Sequence, residues 1–360
     1  MAFPGLPVLY DVQDAADWTK TIAPFIGQFW EIERVFYGEL SPWRYFVTTN
    51  PIVSWIHLFL FWVTLSFTLS LVTGNYSWVD RFWSIIPTSY TTLLFVRGYF
   101  SGSDINGLLH ARFVIVWGMQ CLWSVRLTRN YFRKGGYAAG SQDYRWEYVR
   151  SRIGTAAFHG LNLVFIAFLQ NVLLALLPLP AYVVFLVGKE VPLNWRDALF
   201  LEVVLFALVG QLRSDDLQLR YQTSKARHAA GTATFDDTYR EFSLPQLDRG
   251  FVTAEFWRVS RHPAFFLEQV VWAGFYLWAA STTGVYLNHA ILGCLAYVAL
   301  FQCSTRLTEH ISASKYPAYV RYQRTVPMLC PLPFMTWHEA REAKLEREQE
   351  RERVGGKKEI

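Results

Sequence analysis

The run Phe256-Trp257-Arg258-Val259-Ser260-Arg261-His262-Pro263-Ala264-Phe265-Phe266-Leu267-Glu268 brings two arginines, a histidine and a glutamate to the mouth of an apolar stretch that begins near Phe265. Polar side chains at that depth of a membrane are costly and are usually kept because they bind something. As basic anchors of a span, Arg258, Arg261 and His262 need no ligand. Glu268 stands about one turn inside the apolar stretch, and anchoring does not explain it. Two more stretches carry the same chemistry. Asp215-Asp216-Leu217-Gln218-Leu219-Arg220-Tyr221 precedes the run, and the segment from Glu309 to Pro327, with Tyr316, Tyr319 and Tyr322, follows it. All three are expected at one membrane face, lining a single pocket. Its basic groups suit phosphates and its tyrosines suit a planar ring. An interfacial belt of Tyr, Trp and Arg has the same composition.

The elements that must position these residues are helices in a membrane. The chain has 360 residues, of which 52% are hydrophobic and 17% aromatic, with 15 tryptophans. That composition points to an all-α polytopic membrane helix bundle. A spanning helix needs about 20 mostly apolar residues. Expected spans are 52–73, 82–98, 108–125, 155–187, 198–212, 265–280 and 285–305, about seven transmembrane helices. The fourth is too long for one straight helix and too short for two, so Pro178 and Pro180 are expected to kink it or end it.

Charge sets the orientation. Arg126, Arg129, Arg133, Lys134, Arg145, Arg150 and Arg152 crowd one loop, so the basic loops and the C-terminus are expected in the cytosol. Three regions follow: an N-terminal extramembrane segment 1–51, a bundle 52–331 whose part 213–331 carries the pocket, and a charged cytosolic tail 332–360. From His338 to Val354 the tail reads as a solvated helix or a disordered segment. Lys357 and Lys358 stand where a dilysine retrieval signal of the endoplasmic reticulum would place them. The net charge of +5 is spread over loops between apolar runs and gives no reason to expect nucleic acid. Cys121, Cys294, Cys303 and Cys330 lack metal-type spacing, so neither a metal site nor a disulfide framework is expected. The first 50 residues lack the pattern of a cleavable signal.

Arg261-His262-Pro263, the glutamate five residues after the proline, and the later Tyr316-Pro317-x-Tyr319-x-x-Tyr322 with Val326-Pro327 resemble the C-terminal domain of steroid 5-alpha-reductases. The resemblance is nearest to a related group, the domain of unknown function 1295. Asp80-Arg81-Phe82-Trp83-Ser84-Ile85-Ile86-Pro87, Leu122-Trp123-Ser124-Val125-Arg126-Leu127 and Asp143-Tyr144-Arg145 also match that group. It implies that Asp216, Gln218, Arg258, Arg261, His262, Glu268, Tyr316, Tyr319 and Tyr322 contact a cofactor, NADPH in the reductases. Ala264-Phe265 stands where those enzymes carry Asn-Tyr, and the Glu–Tyr pair that holds their substrate carbonyl has no placed equivalent here.

The expected activity is reduction of an activated C=C bond in a steroid-like, sterol-like or polyprenoid lipid by NADPH, in the endoplasmic reticulum membrane. The substrate would enter from the bilayer. Glu202 and Tyr90, polar groups within apolar spans, are the candidate catalytic residues. An S-adenosylmethionine-dependent lipid methyltransferase is the alternative, and a non-catalytic membrane protein that retains the fold is a third reading. Asp80-Arg81 is expected to be a local ion pair, and the glycine-rich run 135–140 a flexible loop.

Overall fold

The computed structural model describes residues 5–100, 108–188, 191–332 and 334–339, and every regular element among them is helical. The helices that matter here are α1 (Pro51–Thr73), α2 (Ile86–Phe100), α3 (Ala111–Arg133), α4 (Tyr144–Ile153), α5 (Thr155–Val187), α6 (Trp195–Ala229), α7 (Pro263–Thr283), α8 (Ile291–Lys315) and α9 (Tyr319–Thr325). The chain is therefore an all-α protein of the membrane type. Among the described residues, α1, α5 and α8 are long and apolar enough to cross a bilayer. The expected count of seven spans is not reached on those criteria. At 15 residues α2 is short, while α3 and α6 carry charged residues such as Arg112, Arg126, Glu202 and Asp215.

Local chemistry explains the boundaries. At the start of α1, the Asn50 side chain accepts a hydrogen bond from the Ile52 N–H at 2.9 Å, and Pro51 occupies the first helical position. The helix ends at Gly74 with φ +64°, a conformation that suits glycine. Within α5 the regular helix stops at Leu176 and restarts at Leu179, with Pro178 at the junction, as a residue without an N–H requires. Upstream, Asn162–Leu169 widens into a π-helix. Apolar periodicity gave no sign of it.

The chain divides into two compact units. The first comprises Met1–Leu208 and Gln269–Phe301; the second comprises Val209–Glu268 and Gln302–Ile360. The N-terminal segment belongs to the first unit and is bound into it by polar contacts. Tyr182 donates its hydroxyl to Thr21 O at 3.0 Å, and Arg97 donates to Phe46 O and Val47 O. Buried carbonyls need such partners.

Elsewhere in the first unit, α2 and α3 pair through Trp117 Nε1 to Thr92 Oγ1 at 3.1 Å and Thr88 Oγ1 to Gln120 O at 3.3 Å. Two local expectations are corrected. Asp80 turns to the Trp146 indole at 3.0 Å, while Arg81 donates to the carbonyls of Gly136, Ala138 and Ser141. The glycine-rich loop is thus tied down by an arginine whose charge is solvated by backbone oxygen.

The second unit has two apolar clusters. One joins Leu217, Tyr221, Phe242, Leu247 and Val252; the other joins Phe251, Tyr319, Tyr322, Val326 and Trp337.

Candidate functional site

Pro263 begins α7, so His262 and Arg261 lie just ahead of its first turn. The backbone N–H groups of Arg261 and His262 donate to Pro327 O and Met328 O at 3.0 and 3.1 Å. That short pairing holds the motif against the chain that follows α9. Arg261 is 8% exposed and its donors are committed. Nε and Nη2 reach the two oxygens of Glu309 at 2.5 and 2.9 Å, and Nη1 donates to Gln323 O at 2.8 Å and to Val326 O. His262 Nε2 lies 3.0 Å from Glu309 Oε1, and Gln323 Nε2 donates to Oε2 at 3.0 Å. The imidazole is stacked on Phe265 with centroids 5.3 Å apart. Arg261 and His262 therefore hold a buried carboxylate. Arg261, expected to contact a cofactor, has its donors met within the protein by Glu309 and two carbonyls.

The tyrosines expected to contact a cofactor are likewise engaged within the protein. Tyr319 and Tyr322 pack with Phe251, at 5.1 and 5.2 Å, and Trp337 stands edge-on to Tyr322 at 5.4 Å. The Tyr322 hydroxyl donates to Trp257 O, and burial holds its pKa well above the ordinary phenol value. These rings form a core of their own. Tyr316 is half-buried and accepts from Lys225 Nζ at 3.2 Å. Burial acts to raise its pKa, but the Lys225 hydrogen bond and the nearby charges of Lys225 and Lys315 bring it below the ordinary value.

What the second unit presents instead is a set of buried polar atoms without protein partners. Gln211 and Ser214, 0% and 1% exposed, leave Oε1 and Oγ unmatched, and Gln218 leaves Oε1 unmatched. The spacing 211, 214, 218 puts all three on one face of α6. Thr305 Oγ1 on α8 and Trp257 Nε1 are also unmatched. Thr305 stands one turn before Glu309 on α8. Gln211 Nε2 donates to Glu268 Oε2 at 2.5 Å, so Glu268 is held beside this face. Asp216 pairs with Arg220 at 3.4 Å. Arg258 is exposed and meets the protein through Nε to Trp337 O at 3.4 Å. A buried polar atom without a partner is costly, so such a cluster calls for a ligand. The donor set fits the neutral hydroxyls and amide of a nucleotide. Arg258 is one exposed cation that could meet a phosphate, while Arg213 and Arg220 are paired with Glu255 and Glu241.

Gln211, Ser214, Thr305, Gln323 and Glu309 were not singled out as contacts by the resemblance. The polar spacing on α6 was a legible signal; the role of Gln323 was not.

The start of the tail is also corrected. Glu339, expected to be solvated, accepts from Arg249 Nη1 and Nη2 at 3.1 and 2.9 Å, from Trp337 Nε1 at 3.1 Å and from Thr253. Burial acts to raise its pKa, but these bonds and the Arg249 charge outweigh it and leave the pKa below the ordinary carboxylate value. A depressed carboxyl stabilises the fold fully above its unfolded pKa and loses that contribution as the pH falls through its folded pKa. Acidification below about 4.3, the ordinary glutamate value, is expected to free residues 334–339. Amide exchange in that segment should rise in acid, and Glu339→Gln should raise it at neutral pH. Equal protection in both proteins at both pH values would contradict this.

The two candidate catalytic residues lie in the first unit and part company. Tyr90 is 0% exposed, stacked on Trp55 at 4.8 Å, and its hydroxyl has no partner among the described residues. Gln120, also 0% exposed, leaves both amide atoms unmatched. Glu202, within an apolar stretch, is exposed on α6, which turns Val204 and Ala207 inward. Lys357 and Lys358 lie outside the described residues.

A family model described as "Protein of unknown function (DUF1295)" matches residues 66–326. The chain is similar to "Uncharacterized protein C594.04c" of Schizosaccharomyces pombe (strain 972 / ATCC 24843), with 35% identity over 326 residues, 91% of this chain and 93% of that protein. No solved structure matches.

Proposed function

Since the chain belongs to the DUF1295 family of proteins of unknown function, we propose from its own residues that it is an integral membrane oxidoreductase that reduces an activated C=C bond of a lipophilic substrate with NADPH. Tyr90 carries this reading. A phenol with its ring clamped by Trp55 and its hydroxyl unspent in an apolar interior is the donor that enone reduction needs. Charge builds on the substrate oxygen as the β-carbon is reduced, and a donor in a dry site stabilises it more than water does. Gln120, whose amide atoms are also unmatched, would add an N–H donor on α3. NADPH, when bound, supplies the hydride. Gln211, Ser214, Gln218 and Thr305 would hold its neutral groups and Arg258 a phosphate, while Glu309, gripped by Arg261, His262 and Gln323, would position that wall. The substrate is a steroid-like, sterol-like or polyprenoid lipid taken from the bilayer, in the endoplasmic reticulum membrane.

One observation favours a second reading, methyl transfer from S-adenosylmethionine. Gln211 and Gln218 leave carbonyl acceptors unmatched and Ser214 and Thr305 leave hydroxyls unmatched, and Arg261 is neutralised by Glu309. Such a wall accepts a ligand that brings positive charge.

Titration of NADPH and of S-adenosylmethionine into the detergent-solubilised protein separates the two. The expected result is saturable NADPH binding, weakened about tenfold in Arg258→Ala, the loss of one charge-assisted hydrogen bond. With an enone lipid, Tyr90→Phe is expected to lower turnover by about 10²- to 10⁴-fold and leave NADPH affinity unchanged. Binding of S-adenosylmethionine alone would replace reduction with methyl transfer.

A further inference from the structure

The first unit contains an apolar cavity of about 220 Å³ that the proposed chemistry does not use. Trp18, Ile22 and Ile26 of the N-terminal segment form one wall, Ile56 and Phe59 of α1 a second, and Val172 of α5 a third. Its walls are held by hydrogen bonds around the cavity. Tyr182 holds the N-terminal segment at Thr21, the His289 Nδ1 is 3.1 Å from Ala16 O, and the Trp55 indole donates to Ala175 O at 3.1 Å. Glycine at position 293 lets α8 approach the backbone at Leu176, where a Cβ would lie 2.4 Å from the carbonyl oxygen. The cavity is therefore preformed. Trp18 and Ile26 stand at its rim, 44% and 42% exposed.

Three features decide the occupant. The lining offers no polar partner, so water gains nothing there. The volume exceeds the ~150 Å³ of an apolar cavity that takes benzene but falls short of the roughly 300–1,000 Å³ of sites that enclose drug-sized ligands. It can admit a length of one hydrocarbon chain and cannot enclose a four-ring nucleus. The cavity also borders exposed apolar surface, because Phe59 of its lining packs edge-on against Phe168 of α5, 45% exposed, with ring centroids 5.7 Å apart.

We infer that this cavity is a binding site for the terminal part of a single acyl chain of a bilayer phospholipid, covered by residues 18–26. The inference does not rest on the reductase reading, although Trp55, which stacks on Tyr90, also lines the cavity. Its test uses the full-length protein in phosphatidylcholine nanodiscs with a trace of phosphatidylcholine carrying a diazirine near the end of one acyl chain. A parallel sample carries a diazirine sterol. After irradiation, adducts are mapped by mass spectrometry.

Acyl-chain adducts are expected at Ile56, Phe59 and Val172. They should fall at least fivefold in Ala175→Trp and in Val172→Phe, which fill the cavity, while adducts at the outward Leu71 and Val72 stay unchanged. The sterol probe should mark the outward residues alone. If Ala175→Trp does not fold, Val172→Phe decides. Chain adducts confined to the outer face, cavity adducts indifferent to filling, or sterol adducts inside the cavity would each overturn the inference.

Discussion

Arg261→Ala is expected to lower the unfolding free energy of the solubilised protein by about 3–5 kcal/mol, the cost of removing one partner from a buried ion pair. Four contacts leave with the side chain: two to the Glu309 carboxylate and one each to Gln323 O and Val326 O. The Glu309 carboxylate stays buried with only His262 and Gln323 to solvate it, and two carbonyls lose their donor. Lysine should rescue little, because a point charge cannot reproduce the fork that spans both oxygens. The double variant Arg261→Met, Glu309→Leu should recover part of the loss, since replacing a buried pair by packed apolar groups is often near neutral. Reversible unfolding in detergent and denaturant measures all three. A loss under about 1 kcal/mol in Arg261→Ala would mean that the pair behaves as a surface bridge and that Arg261 is available to a ligand after all.

The second large effect is expected at Asp197→Asn, again about 3–5 kcal/mol. Arg112 is 1% exposed and meets Asp197 through two bonds, Nε to Oδ1 at 2.6 Å and Nη2 to Oδ2 at 2.9 Å. The same carboxylate accepts from the Trp278 indole at 2.7 Å and from Asn194 N at 2.8 Å, while Arg112 also donates to Val191 O and Pro192 O at 2.9 Å. The pair thus joins α3, the loop before α6, the first turn of α6 and α7. An acidic residue in the first turn of α6 also complements the positive end of its dipole. Asparagine keeps the shape and removes the charge, so Arg112 is left buried without a counterion. Thermal unfolding followed by tryptophan fluorescence should show a fall in Tm of several degrees. A shift within error would mean that the backbone carbonyls alone satisfy Arg112.

Both predictions concern residues whose meaning changed between sequence and structure. Arg112 was legible as a charge that spoils a span, and Arg261 as a charge at a membrane face. Neither partner was legible, because Asp197 lies 85 residues from Arg112 and Glu309 lies 48 from Arg261. Glu202 is a different case. An acid in an apolar stretch, it is exposed because the phase of α6 turns Val204 and Ala207 inward.

The sequence by itself determined that the chain is an all-α membrane protein, that the helix around Pro178 and Pro180 is interrupted, and that polar and aromatic residues of its second unit gather around 215–221, 256–268 and 309–327. Helix, hydropathy and proline effects are set by neighbours a few residues away, so they can be read locally. Tertiary structure decided which polar groups are spent and which are left to bind. Arg261, Tyr319 and Tyr322 have ligand-binding chemistry and are consumed by the fold, whereas Gln211, Ser214 and Tyr90 are left with unmatched atoms. The physical reason is that a buried hydrogen bond is settled by whatever the rest of the chain brings within about 3 Å, and no local pattern encodes that.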